Sequence, residues 1–201
     1  MDIIAYLDKK STVYFLSPND DFDKSFLGGW DKSIYHRLML PKLLPNIDRI
    51  IYCDADTIFM RRLSEADSLE LGDNLIAGVK EDSKGYINSG FLVLNLKQMR
   101  KEETYKKFIS VSQTEKLLYP DQDVLNLVCK NRILYLAWKF NVRVDHILHD
   151  YKFRSAKECM QAGRECVMIH FISSFKPWNG CKYPFNSYWW KYKKILDNLP
   201  L

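Results

Sequence analysis

Residues Arg49–Phe59 read R-I-I-Y-C-D-A-D-T-I-F, and the fold turns on this stretch. Ile50 to Cys53 are apolar or aromatic and run directly into two aspartates separated by Ala55. The pattern predicts a short buried strand ending in a carboxylate pair. Alternate residues of a strand share a face, so Asp54 and Asp56 converge if the extended backbone continues for two more residues. Two carboxylates converging at a strand's C-terminal end suit a hard divalent cation, which prefers oxygen ligands. Open α/β sheets bind ligands at that same edge. A D-x-D pair in isolation reads more readily as a solvated loop; the apolar strand before it favours a site, and the rest of the chain has to decide.

Upstream, Thr12–Leu16 (T-V-Y-F-L) is β-branched and aromatic and predicts a strand, closed by the turn cluster Ser17-Pro18-Asn19-Asp20. Phe22–Trp30, interrupted by Gly28 and Gly29, reads as loop. Asp31 or Ser33 caps a helix from Ile34 to about Leu40, after which Pro41 and Pro45 restrict the backbone. Downstream, Ser64 opens a short helical piece. Leu75–Val79 and Phe91–Leu96 are apolar runs that read as buried strands. Lys97–Val111 carries helical spacing through Met99, Tyr105, Phe108 and Ile109. Asp121 caps a helix through Val124, Leu125 and Val128. Ile133–Ala137 and Val167–Phe171 read as strands, and Tyr188–Leu199 alternates aromatics and lysines at a helical period. Strands interleaved with helices predict an α/β fold, one domain over 1–201, with a mixed, mostly parallel sheet flanked by helices.

The chain's 201 residues suffice for a sizeable core. Its net charge of +5, from 30 basic and 25 acidic residues, is mild. It allows attraction to phosphates or an anionic membrane without calling for nucleic acid. The five cysteines show no C-x-x-C spacing, which argues against a disulfide framework and fits a reducing, cytoplasmic setting. Cys159, Cys166, His170 and Cys181 match no usual zinc spacing. No window of 18 apolar residues is present, and Met1–Lys10 lacks the basic start and long apolar region of a signal peptide.

Three further stretches carry chemistry. Asn88-Ser89-Gly90 precedes an apolar run, and its amide and small residues suit a closely approaching sugar, although a turn explains them as well. Tyr119-Pro120-Asp121-Gln122-Asp123 clusters hydroxyl-gripping groups at a helix start, with Asn126 one turn on from Gln122 and on the same face. His170 ends an apolar strand and is followed by S-S-F-K-P-W. It suits manganese or magnesium as a third ligand beside two carboxylates, and Lys176 suits a phosphate.

Taken together and in this order, these blocks resemble glycosyltransferase family 8, the retaining transferases that use nucleotide-sugar donors. The resemblance runs through Y-H-R-L (35–38), I-Y-C-D-A-D-T (51–57), I-N-S-G-F-L-V-L-N-L (87–96), Y-P-D-Q-D-V-L-N (119–126) and H-F-I-S-S-F-K-P-W (170–178). It is similar above all to the bacterial lipopolysaccharide glucosyl- and galactosyltransferases. The resemblance implies a GT-A-type, Rossmann-like fold and transfer of a hexose from a UDP-sugar to a saccharide or glycolipid acceptor. It implies that Asp54, Asp56 and His170 hold Mn2+ or Mg2+, with Ala55 between the two carboxylates in the donor site. Lys176 would contact the diphosphate, and Arg37 the donor sugar and phosphate. Asn88 and Ser89 would line the sugar pocket, and Asp121 and Gln122 would face the transferred sugar as the catalytic pair. Asp82, or Glu81 beside it, falls where members carry a sugar-contacting carboxylate.

Ser173 stands where members commonly have glycine next to the diphosphate. Members also begin with a strand–helix–strand unit holding much of the uridine site. The resemblance here starts near the end of that helix, so the chain is expected to lack the unit. Two other readings remain at this point. One is an inactive remnant that keeps metal or sugar binding. The other is a haloacid-dehalogenase-type phosphatase with Asp54 as nucleophile and Asp56 as general acid/base. The Trp189–Lys194 segment reads as a capping helix or as a peripheral contact with the inner face of a membrane.

Overall fold

A computed structural model describes residues 12–114, 116–145, 156–174, 176–180 and 185–198. The strands are β1 (Arg49–Cys53), β2 (Thr57–Phe59), β3 (Ile76–Lys80), β4 (Ile87–Asn95), β5 (Ile133–Leu136), β6 (Val142–Arg143) and β7 (Met168–His170). The helices are α1 (His36–Leu43), α2 (Ser64–Asp67), α3 (Leu96–Lys101), α4 (Thr104–Thr114), α5 (Pro120–Val128), α6 (Ala156–Glu165) and α7 (Asn186–Asp197). The segment Met1–Lys10, the Cys181 position and Leu199 lie outside the described residues.

The larger sheet has the order β1-β4-β3-β5, and a smaller one has β2-β7-β6. The α/β, mixed-sheet expectation holds. Among the described residues, antiparallel pairings outnumber parallel ones by three to two. Only six residues, Glu81 to Tyr86, separate β3 from β4, too few for the crossover that a parallel pair needs.

Strand β4 organises the core because it is buried on both faces. Phe91 and Val93 pack with Phe140, Val142 and Ile169 on one side, while Leu92 and Leu94 pack with Tyr35, Leu38 and Phe108 on the other. That split follows the two-residue period of a strand. The β3–β4 register slips between Gly78, opposite Leu92, and Val79, opposite Asn88. Ser89–Phe91 therefore bulge free of β3, just where β4 meets the end of β1, and a bulge of this kind re-aims side chains.

Several sequence expectations need correction. Thr12–Leu16 is not a strand; Tyr14 and Phe15 are 79% and 85% exposed and pair with no strand among the described residues. Lys97–Val111 is two helices, broken where Glu103 takes a left-handed φ of 51°. Helix α1 continues through Pro41 to Leu43. Asp31 does cap, but it caps the 3-10 turn Lys32–Tyr35 that leads into α1.

Candidate active site

Strand β1 ends at Cys53, and Ala55–Asp56 form a turn before β2. The expected continuation of the strand through Asp56 does not occur. The two aspartates converge through that turn, which is pinned by hydrogen bonds on both sides. The Asp54 N–H donates to Gly90 O (3.0 Å), the Thr57 hydroxyl donates to Asp54 O (2.8 Å), and the Phe171 N–H donates to Asp56 O (2.9 Å). Ala55 is exposed at the tip of the turn. The β2–β7 pairing sets Thr57 opposite His170 and so brings the histidine to the aspartates.

Each carboxylate is divided in use. Asp54 Oδ1 is held by Arg37 Nη2 (2.8 Å) and by the Tyr52 hydroxyl (2.8 Å), leaving Oδ2 3.8 Å from His170 Nε2. Asp56 Oδ2 is held by Lys176, leaving Oδ1 3.3 Å from the same Nε2. Donor atoms of Asp54, Asp56 and His170 all lie within 4.8 Å of one another. One free oxygen from each carboxylate and one ring nitrogen thus face a common point, and that donor set fits a divalent cation such as manganese or magnesium. Burial pushes the Asp56 carboxyl up, but His170 in its charged form and Lys176 beside it outweigh burial and hold it well below the usual carboxylate range.

Gly90 makes this geometry possible. A Cβ there would lie 2.2 Å from His170 Cε1 and 2.5 Å from Nδ1, so the ring occupies space that a side chain would take.

The second wall of the site grows from β4 and α5. Asp121 was expected to cap this helix, yet α5 starts one residue earlier, at Pro120. The carboxylate that caps is Asp123, whose Oδ2 accepts the Leu118 and Tyr119 N–H groups. Asp121 is thereby free to face Arg37, whose Nε lies 3.0 Å from its Oδ2. Burial pushes the Asp121 carboxyl above its usual range, Arg37 opposes the rise, and the neighbouring Asp54 charge adds to it. Arg37 also donates to the Ser89 carbonyl (2.9 Å) and hydroxyl (2.8 Å). Gln122 Oε1 accepts from Asn88 Nδ2 (3.0 Å) and the Ser89 N–H (2.9 Å), and its Nε2 donates to Glu81 (2.9 Å).

Of the two neighbouring acids, Glu81 is the one in the site. Asp82 instead closes the β3–β4 turn by accepting the Lys84 and Tyr86 N–H groups. Asn126 does not line the cavity. It docks α5 on β4 by bonding both the N–H and the carbonyl of Ile87.

These groups border one cavity of about 600 Å³, within the range of small-molecule sites. It is lined by Arg37, Asp54, Asp56, Asn88, Ser89, Asp121, Gln122, His170, Ser173 and Lys176, all expected from the sequence. Ser173 has a φ of 55°, in the left-handed region that glycine enters without penalty. That conformation gives a backbone reason for glycine at the position. The sequence reading missed Arg143, Trp30 and Ile34 on the cavity wall and Asn141 behind it. Of the residues weighed for zinc, His170 turns Nε2 to the aspartates and Cys166 is a buried free thiol, while the Cys159 side chain and Cys181 lie outside what the structure describes.

Comparison with known proteins agrees with this architecture. The profile described as "Glycosyl transferase family 8" matches residues 2–181. The chain is 29% identical over 193 residues to a lipopolysaccharide 1,2-glucosyltransferase of Escherichia coli K12, covering 85% of this chain and 56% of that protein. It is 25% identical over 183 residues to a lipopolysaccharide 1,3-galactosyltransferase of Salmonella typhimurium, covering 79% and 53%. The chain thus spans about half the length of the curated relatives it matches. Among solved structures, the galactosyltransferase LgtC, crystallised with donor and acceptor sugar analogues, superposes with a TM-score of 0.76 at 20% identity, over 94% of this chain and 76% of that one. At that identity the likeness speaks for a shared GT-A fold. With a family profile covering most of its length and the converging Asp54–Asp56–His170 cluster in place, the chain belongs to glycosyltransferase family 8.

Proposed function

We propose that the chain is a single catalytic domain of a metal-dependent retaining hexosyltransferase. It would move glucose or galactose from a UDP-sugar to a saccharide acceptor such as lipopolysaccharide. The observation that carries this reading is the division of the Asp54 and Asp56 carboxylates, each with one oxygen neutralised by a cation and one turned to His170 Nε2. The names of the relatives, both lipopolysaccharide transferases, support the acceptor class.

In this reading Asp54, Asp56 and His170 hold manganese or magnesium, which supplies charge for the leaving diphosphate. Lys176 exchanges its contact with Asp56 for one to the diphosphate, where it stabilises negative charge as the glycosidic bond breaks. Arg37 stays fixed between Asp54 and Asp121. Asn88, Ser89 and Glu81 hold sugar hydroxyls. Gln122 presents an amide to the transferred sugar, and an amide is a poor nucleophile. That favours a front-face displacement: the bond from the anomeric carbon to the diphosphate oxygen breaks, the acceptor oxygen bonds to the same face, and its proton passes to the departing phosphate. Asp121 orients the sugar and offsets the positive charge that develops on it.

No helix among the described residues is long and apolar enough to cross a membrane. Trp190 and Ile195 of α7 are each 52% exposed beside Lys191 and Lys194, which supports peripheral contact with an anionic leaflet at the cytoplasmic face.

The test is hydrolysis of UDP-glucose or UDP-galactose and transfer to deacylated lipopolysaccharide core, with and without manganese. Turnover should require the cation and should vanish in Asp54→Asn. Metal-independent turnover, or full activity in Asp54→Asn, would remove the assignment.

A further inference from the structure

A chain of polar side chains joins the metal-facing and sugar-facing halves of the cavity, and two backbone N–H groups fix its direction. A backbone N–H only donates, an amide oxygen only accepts, and an amide nitrogen only donates. The Gly90 N–H lies 3.0 Å from one terminal atom of Asn88, so that atom is the amide oxygen. The Asn141 atom 2.7 Å from the same oxygen must then be its NH2. The other end of the Asn141 amide is therefore its oxygen, and it lies 3.0 Å from His170 Nδ1. Only a protonated Nδ1 satisfies that contact. In the neutral ring this leaves the lone pair on Nε2, the nitrogen that faces Asp54 and Asp56.

The second anchor agrees. The Ser89 N–H, 2.9 Å away, identifies Gln122 Oε1, which in turn accepts from Asn88 Nδ2 at 3.0 Å. Asn141 is 1% exposed and His170 2%, so water offers the pair little alternative bonding.

We propose that Asn141 is a positioning residue. Its amide sets His170 as the Nδ1–H tautomer, with the Nε2 lone pair aimed between Asp54 and Asp56, and ties that choice to the orientation of Asn88 in the sugar pocket. Partners behind a metal-ligating histidine fix its tautomer and ring orientation in this way, and losing one typically costs ~10–100-fold in metal affinity. The affinity consequence rests on the metal reading above; the tautomer does not.

The experiment uses the metal-free, 15N-labelled protein. Long-range 1H–15N spectra at pH 8, with the His170 signals assigned by their loss in His170→Gln, show which ring nitrogen carries the proton. The wild type should be protonated on Nδ1. Asn141→Asp keeps an acceptor for that proton and should preserve the tautomer, although its second oxygen opposes Asn88 Oδ1. Asn141→Leu should shift the ring toward Nε2–H and weaken manganese binding about 10–100-fold in calorimetric titration. Wild-type His170 protonated on Nε2 would overturn the proposal without any variant. So would Asn141→Leu that keeps both Nδ1–H and the wild-type manganese Kd. Failure of the wild type to bind manganese would sink the metal reading, and the tautomer spectra would still decide the role of Asn141.

Discussion

Replacing Arg37 with methionine keeps much of the side-chain length and removes the charge. Arg37 sits 2.8 Å from Asp54 and 3.0 Å from Asp121, with its side chain and that of Asp121 each only 11% exposed. Removing one partner of a buried pair leaves an uncompensated buried charge, at a cost of about 3–5 kcal/mol. Lost hydrogen bonds to Ser89 fall within the same figure. Urea denaturation in EDTA at pH 7.5 should show a loss of that size. The pH dependence has a definite sign. Burial already raises the Asp121 carboxyl above its unfolded value, and loss of Arg37 raises it further. A raised folded pKa contributes stability that is fully present below the unfolded value and lost as pH rises through the folded one. The defect of Arg37→Met should therefore be greatest at neutral pH and shrink as the pH falls toward about 4, where Asp121 protonates even when unfolded. Neutralising the stranded acid should act likewise, so Arg37→Met/Asp121→Asn should recover about 2 kcal/mol relative to Arg37→Met. A single variant within about 1 kcal/mol of wild type, or a double variant no better than the single, would refute the account of Arg37 as the counter-charge of this site.

Gly90→Ala should leave a folded protein by circular dichroism but displace His170, weakening manganese binding at least about 10-fold; wild-type affinity would show that the ring does not need that space. Burial pushes the Cys129 and Cys166 thiols up to about 12. At pH 8 both should be alkylated by iodoacetamide at least ~100-fold more slowly in the native protein than in urea, as read by peptide mass spectrometry, and equal rates would contradict their burial. Co-sedimentation with phosphatidylserine vesicles should be lost in a Trp190→Ser/Lys191→Glu/Lys194→Glu variant; unchanged binding would rule out α7 as the contact.

The apolar runs made most of the sheet legible, because β3, β4 and β7 are buried on successive residues and carry the hydrophobicity that burial demands. The same signal misled at Thr12–Leu16, where β-branched and aromatic residues lie exposed. Hydrophobic spacing ran unbroken through Lys97–Val111 because Met99 and Phe108 both reach the core, and a left-handed glutamate announces a break far less clearly than a glycine. Asp121 was recognised as important on the wrong local ground. Asp121 and Asp123 both stand in the first turn of α5, and sequence does not tell which carboxylate caps and which is left for Arg37. Asn141 and Arg143 escaped because β6 is two residues long. A signal was nonetheless present in F-N-V-R-V-D: Phe140, Val142 and Val144 alternate with Asn141, Arg143 and Asp145, the two-residue period of a strand with one polar face, although only Val142–Arg143 is strand.

The charges around the cavity explain why these parts belong together. Four carboxylates line it (Asp54, Asp56, Glu81 and Asp121) against three fixed cations (Arg37, Arg143 and Lys176). Two of those cations are committed to acids that stay in place, Arg37 to Asp54 and Asp121 and Arg143 to Glu81 and Asp145. Among the described residues Lys176 pairs with a single acid, Asp56, whose other oxygen faces the proposed metal position. A doubly negative diphosphate entering this cavity alone would meet an excess of negative charge at short range, where repulsion in a partly dry site is strong. On the proposed reading, a diphosphate arriving with a dication would bring positive charge to Asp54 and Asp56 and release Lys176 to bind phosphate. The D-x-D turn, the histidine behind it and the lysine beside it would then act as one device, and metal and diphosphate should each bind far more weakly without the other.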